Sequence, residues 1–148
     1  MKKLFAMISG AIAVLLLTGQ VALASGQGHK VAIHVDENDP KVMNLALNNA
    51  RNVTNYYESK GEEVIIEIVA YGPGLNMLIP GKSPVESRIK AMSLELENLS
   101  FAACGNTKAN MEKKVGKEIT IMDEASIVTS GVVRLIELQE AGYAYIRP

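Results

Sequence analysis

Apolar and polar positions along this chain fall into blocks of two different periods, and the two kinds of block take turns. Residues 30–35, Lys-Val-Ala-Ile-His-Val, are a short apolar run that stops at Asp36-Glu37-Asn38-Asp39-Pro40. Such a run before a turn-rich stop predicts a strand. Asp39 then caps a helix whose first-turn Pro40 has no amide to leave unbonded. Val42, Leu45, Ala46, Asn49, Val53 and Tyr56 follow at helical spacing, and Lys60-Gly61 ends the pattern. Residues 63–70 form a second strand, too continuously apolar for an edge facing water. Tyr71-Gly72-Pro73-Gly74 breaks it, and residues 75–79 fit one short helical turn. Ser83-Pro84-Val85-Glu86 matches a capping box with proline at the first helical position, and Val85, Ile89, Met92 and Leu96 form the buried stripe behind it.

A third strand covers residues 99–103 and ends in Cys104. A helix starts at Asn106 or Thr107 and runs to about Lys114, with Gly116 beyond it. Residues 119–122 and 126–129 both suit a fourth strand, and periodicity does not choose between them. Residues 131–141 are a last helix carrying Val132, Leu135, Ile136 and Leu138, closed by Gly142, and residues 143–146 are a fifth strand. Strict alternation of strand and helix predicts an α/β domain, a mostly parallel five-stranded sheet with helices on both faces. The linkers are short, so residues 25–148 form one domain.

Residues 1–24 stand apart from that pattern. Lys2 and Lys3 precede an apolar run, residues 4–17, broken only by Ser9 and Gly10. Ala22-Leu23-Ala24 then offers small residues at the positions a signal peptidase reads, before the polar Ser25-Gly26-Gln27-Gly28. A membrane span needs roughly 20 apolar residues, more than this run supplies. The expectation is a signal peptide cleaved after Ala24, a periplasmic or secreted product, and no membrane attachment afterwards.

Composition narrows the chemistry. A formal charge of −1 leaves no basic excess to neutralise a run of phosphates, which argues against nucleic acid. One cysteine permits neither an intrachain disulfide nor a cysteine-built zinc site. No motif calls for a cofactor or a metal. Tyr71-Gly72-Pro73-Gly74 lacks the spacing and the Lys-Ser/Thr of a phosphate loop.

In an open α/β sheet, ligands bind outside the carboxyl ends of the strands. Asp36 to Asp39, Tyr71 to Gly74, Cys104 to Thr107, and Ser130 all follow strands and share that edge. Cys104 stands where strand gives way to helix, facing the amides of Gly105, Asn106 and Thr107. The positive end of the helix dipole favours thiolate there, and Gly105 lets a partner approach the backbone. The competing reading is a small core hydrophobe at the end of a buried strand. Lys108, Lys113, Lys114 and Lys117 form a solvated helix face that raises the potential near the thiol. His34 reaches the site or fills a core position, and burial habits favour the core. His29 belongs to a solvated mature N-terminus. Asp36, Glu37 and Asp39 offer carboxylates for a cation, although Asp39 is better explained as a helix cap. The glycosylation-like Asn52-Val53-Thr54 and Asn98-Leu99-Ser100 read as chance matches.

Several strings in order along residues 31–148 carry a family resemblance. They are His34-Val35-Asp36 with Asp39-Pro40, Val69-Ala70-Tyr71-Gly72-Pro73-Gly74, Phe101-Ala102-Ala103-Cys104-Gly105-Asn106-Thr107, Ser130-Gly131-Val132, and the run from Leu138 to Arg147 containing Gly142-Tyr143-Ala144-Tyr145. With these the chain resembles the DsrE/DsrF-like sulfur-relay proteins. The resemblance implies a flavodoxin-like three-layer α/β/α domain that assembles into homo- or hetero-oligomers. It also implies a fourth strand at residues 126–129 and sulfur carried as a cysteine persulfide, a role that only Cys104 can inherit.

Two function classes follow. One is a sulfur carrier or sulfurtransferase-like protein with Cys104 as the reactive group. Gly105, Asn106, Thr107, His34, Tyr71, Gly72 and Ser130 would surround its ligand, a donor or acceptor protein would be its partner, and a homo-oligomer its assembly state. The other is a noncatalytic binding or assembly module in which Cys104 is structural.

Overall fold

The structure is a computed structural model that describes residues 28–148, so the expected signal peptide and its cleavage site lie outside the described residues. Among the described residues five strands and four α-helices alternate in the order β1 (His29–Val35), α1 (Pro40–Glu58), β2 (Val64–Ala70), a 3-10 helix (Gly72–Leu78), α2 (Glu86–Glu95), β3 (Leu99–Cys104), α3 (Gly105–Val115), β4 (Ala125–Val128), α4 (Gly131–Glu140) and β5 (Ala144–Ile146). The sheet order is β4-β3-β2-β1-β5 and each neighbouring pair is parallel. The expected mostly parallel sheet is therefore parallel throughout, in a three-layer α/β/α architecture of the flavodoxin-like kind.

The strand order decides which helix covers which face. From β1 to β4 each crossover steps the same way, so right-handed connections put α1, α2 and α3 on one side. The step from β4 back past β1 to β5 reverses direction and puts α4 on the other. The buried clusters follow that division. Ile33, Ile66, Ile68 and Phe101 pack with Met43, Leu47, Leu75 and Ile89 on the first face. Ala32, Val69 and Ala102 meet Leu135 and Leu138 of α4 on the second, with Tyr71, Val128 and Tyr143 partly buried against them. Two alanines in the sheet let that lone helix come close. Glu67, on the same face, is bound at both carboxylate oxygens by Arg134 of α4, each at 2.7 Å.

Local chemistry accounts for most boundaries. Asp39 caps α1 by accepting from the Lys41 amide at 2.7 Å, with Pro40 in the first turn. Gly116 ends α3 in the left-handed conformation, φ 67°. Val85, Ile89, Met92 and Leu96 are all buried as the spacing predicts. Ala125–Val128 is the fourth strand, while Ile119, Ile121 and Met122 plug the first core.

Other expectations are corrected. The buried stripe of α1 is Met43, Ala46, Leu47, Ala50 and Thr54, with Leu45 and Tyr56 exposed. The helix has apolar residues on two adjacent stripes, and the sheet takes the one a residue further on. The capping box before α2 does not form. Its N-cap is Val85 without a side-chain bond, the Ser83 hydroxyl accepts from the Val85 amide, and the Glu86 carboxylate turns to the Gly81 amide. His29 is not in a loose terminus but opens β1, stacked on Tyr57 with ring centroids 3.7 Å apart. Of the apolar residues on α4, Leu135 and Leu138 are buried and Val132 and Ile136 half exposed. Among the described residues, no helix is long and apolar enough to cross a membrane.

Candidate functional site

The parallel register brings the carboxyl ends of the strands level. Val35 is opposite Ala70 and Ala70 opposite Ala103, while Cys104 pairs with Val128. Asp36, Tyr71, Cys104 and Val128 therefore continue one row across the edge. His34 lies two rows below on β1, on the same face as Asp36, and Tyr145 comes beside it from β5. The helices that leave the carboxyl ends part to opposite faces between β3 and β4, which is where an open α/β sheet leaves its crevice.

Cys104 ends β3 and is itself the N-cap of α3, its Sγ accepting from the Thr107 amide at 3.4 Å. The helix thus begins one residue earlier than the spacing suggests, because the thiol does the work of a capping oxygen. Burial pushes the Cys104 thiol up, but hydrogen bonds from the Thr107 side chain and from the amides of Gly131, Thr107 and Asn106 outweigh it, leaving the pKa below its ordinary value. The residue is only 4% exposed.

The neighbours expected around the thiol divide into two groups. Thr107 is in contact with it, and Gly72 is held close because its amide donates to Thr107 Oγ1 at 3.0 Å. Gly105 and Asn106 instead face their own chain. A Cβ on Gly105 would stand 3.0 Å from the Val128 carbonyl oxygen, so its open side is filled by the end of β4, not by a ligand. The Asn106 amide also donates to the Thr129 carbonyl at 3.1 Å. Ser130 is the N-cap residue of α4 without a side-chain cap. The lysines do not raise the potential at the sulfur. Lys108 is paired with Glu112 at 2.6 Å, and Lys113 and Lys114 lie in the last turn of α3, roughly 15 Å along the axis.

His34 is 5% exposed and is engaged on one side only. Its Nδ1 and the Tyr145 hydroxyl are 2.6 Å apart, and its ring stacks on Tyr71 with centroids 4.6 Å apart. Nε2 is buried without a hydrogen-bond partner, the nearest carboxylate oxygen being Asp36 Oδ2 at 3.8 Å. Asp36 is no cation ligand, since Arg147 bonds both its oxygens at 3.1 Å. Among the described residues no group of His, Cys, Asp and Glu is arranged to hold a metal ion. Gly131 is packed against Tyr71, where a Cβ would come within 2.8 Å of the tyrosine's own Cβ.

The fold, and three in ten of the aligned residues, are shared with a solved structure. The chain matches that of MTH1491, a protein of unknown function from Methanobacterium thermoautotrophicum, with TM-score 0.68 and 30% identity, over 81% of this chain and 99% of that one. The chain belongs to the MTH1491 family. No family model and no curated protein matches it.

In this MTH1491-family chain, sequence reasoning missed Gly131, Tyr145 and Arg147 as parts of the edge. Arg147 stands directly after β5, so its place became legible only once β5 was known to lie beside β1. A cleft of about 370 Å³ lined by Gly72, Pro73, Thr107, Asn110, Met111 and Lys114 borders the thiol's partners. Another, of about 560 Å³, lies at the amino-terminal edge among Glu58, Glu63, Leu94 and Glu97, away from the cysteine.

Burial lowers the His34 pKa from its ordinary 6.5, Asp36 opposing and Arg147 adding to the effect. Burial raises Tyr71, helped by the Asp36 carboxylate. For histidine a lowered folded value means that the unfolded chain binds the extra proton first. Stability is therefore full above about pH 6.5 and falls as the pH drops below it, down to the folded value. Urea unfolding at several pH values should show this loss for the wild type and a smaller one for His34→Phe. Equal slopes in both would remove His34 from the acid response.

Proposed function

We propose that this protein is an exported sulfur carrier, or sulfurtransferase-like partner, that holds sulfane sulfur on Cys104 as a persulfide. The observation that carries the reading is the Cys104 sulfur itself, placed as the N-cap of α3 and accepting from the Thr107 amide at 3.4 Å. The resemblance to the DsrE/DsrF-like proteins supports it. In the reaction, the Cys104 thiolate attacks the outer sulfur of a donor persulfide. One S–S bond forms, the donor's S–S bond breaks, and the donor leaves as a thiolate that takes up a proton. Sulfur passes to an acceptor thiolate by the same step in reverse, with no net oxidation. No second cysteine is needed. A homo-oligomer is part of the reading, with Val132, Val133 and Ile136 of α4 as half-exposed apolar surface for it. So is a leader removed after Ala24.

The 4% exposure of Cys104 favours a second reading, a noncatalytic module in which the thiol is a core atom. Alkylation of the native protein across pH, followed by mass analysis after a sulfane-sulfur donor, separates the two. The carrier gains about 32 Da, one sulfur, and reacts while folded. Cys104→Ser should fold, because serine is a favoured N-cap, and should gain nothing. A thiol that reacts only after unfolding and takes up no sulfur overturns the carrier and leaves the noncatalytic module.

A further inference from the structure

The pairing of β5 with β1 brings His34 and Tyr145 together but exposes them unequally. The histidine is 5% exposed and the tyrosine 43%, so the imidazole lies behind the phenol. Tyr71 stacks on the imidazole, and the Tyr145 ring tilts against it at 46° with centroids 5.8 Å apart. Nδ1 and the Tyr145 hydroxyl are 2.6 Å apart, well inside hydrogen-bond reach.

The charge behind the ring decides which atom carries the proton. Nε2 has no hydrogen-bond partner and stands 3.8 Å from Asp36 Oδ2, too far for a hydrogen bond but close enough for charge to act. Arg147 fixes that carboxylate by bonding both of its oxygens. A lone pair on Nε2 would be repelled by the carboxylate, whereas a proton there is attracted. Neutral imidazole has one proton, so Nδ1 keeps the lone pair and the Tyr145 O–H donates to it. Burial lowers the His34 pKa from its ordinary 6.5, so the ring is neutral at pH 7.

We infer that Tyr145 and His34 are a nucleophile and its base, and that the hydroxyl accepts an acyl group from an activated ester or thioester. Tyr145 Oη bonds to the acyl carbon while its proton passes to His34 Nδ1. The bond from that carbon to the leaving oxygen or sulfur then breaks, and the leaving group takes the proton. An uncharged electrophile suits the place, because the cation beside it, Arg147, already answers Asp36 and Glu37. A phosphoryl group would meet two carboxylates and a cation that is already paired. Cys104 takes no part in the step, so the carrier reading stands or falls apart from it.

The test is acetylation by p-nitrophenyl acetate, with each acetylated tyrosine located by mass spectrometry of its peptides. Tyr56 is the internal control, since at 54% exposure it is labelled first if access alone decides. At pH 7 Tyr145 should react about a hundredfold faster than Tyr56, the low end of what a positioned base contributes. Its rate should stay flat from about pH 7 to 9, whereas an unassisted phenol gains about tenfold per pH unit below its pKa of about 10. His34→Gln still accepts from the Tyr145 hydroxyl but takes up no proton, so Tyr145 should fall to the rate and slope of Tyr56. His34→Phe gives the same comparison if the glutamine variant loses its far-ultraviolet dichroism. Tyr145 labelled no faster than Tyr56 overturns the inference. So does a glutamine variant with the wild-type rate, which would mark orientation rather than basicity as the cause.

Discussion

Gly74→Ala is expected to lower the unfolding free energy by about 3 kcal/mol or more, the upper end of overpacking costs. The midpoint of thermal unfolding should fall by roughly 10 °C for a domain of this size. An alanine Cβ would stand 2.3 Å from the Val35 carbonyl oxygen, 2.7 Å from its carbon and 2.9 Å from the Asp36 Cα. All three are backbone atoms, so no side chain can rotate away. The same segment is pinned by the Gly74 amide on the Asp36 carbonyl at 3.0 Å and the Tyr71 amide on the Val35 carbonyl at 3.1 Å. Relief therefore requires the 3-10 helix to lift from the end of β1. Urea denaturation with an unchanged m-value would measure the loss. A cost below about 1 kcal/mol, where ordinary substitutions centre, would mean that the loop is not seated as described.

Removing Arg134 should cost nearly as much, by a different route. Glu67 lies in the middle of the sheet with a side chain 12% exposed, and Arg134 binds both of its oxygens. The pairing, with burial opposing, holds the guanidinium above its ordinary range. Arg134→Leu leaves a carboxylate against an apolar helix with its charge unanswered. Such losses run to about 3–5 kcal/mol, and the partly exposed arginine places this one near the low end. The double variant Glu67→Leu, Arg134→Leu should recover most of the loss, because two apolar groups need no partner. A double-mutant cycle by urea unfolding measures the coupling. Equal destabilisation of the single and double variants would show that the pair contributes packing alone.

The fold was largely legible because each element announces itself within about ten residues. Asp39 before Pro40, Gly116 after α3 and the apolar run at residues 64–70 act on their own neighbours, and the structure keeps them. The errors are of two kinds. In α1, two apolar stripes compete and only the surface of the sheet selects Met43 and Leu47 over Leu45. In the first turn of α3, Gly105 looked open because the end of β4 that fills it lies more than twenty residues further on. The site was half legible for the same reason. Cys104 and Thr107 are three apart and could be placed together from spacing. His34 with Tyr145, and Asp36 with Arg147, are each 111 residues apart and meet only because β5 lies beside β1. No local pattern encodes that adjacency.

The same adjacency has a temporal side. During synthesis β1 emerges first among the strands and β5, three residues long, last. Four strands and four α-helices can condense before residues 144–147 leave the ribosome, but one flank of β1 then has no neighbour. Until that moment His34 lacks Tyr145 as well as a partner at Nε2, and Asp36 lacks its arginine. Bringing such distant segments together is slow relative to local folding, so the nascent chain passes through a state with its oldest strand bare on one side. Three residues of β5 are what close that flank.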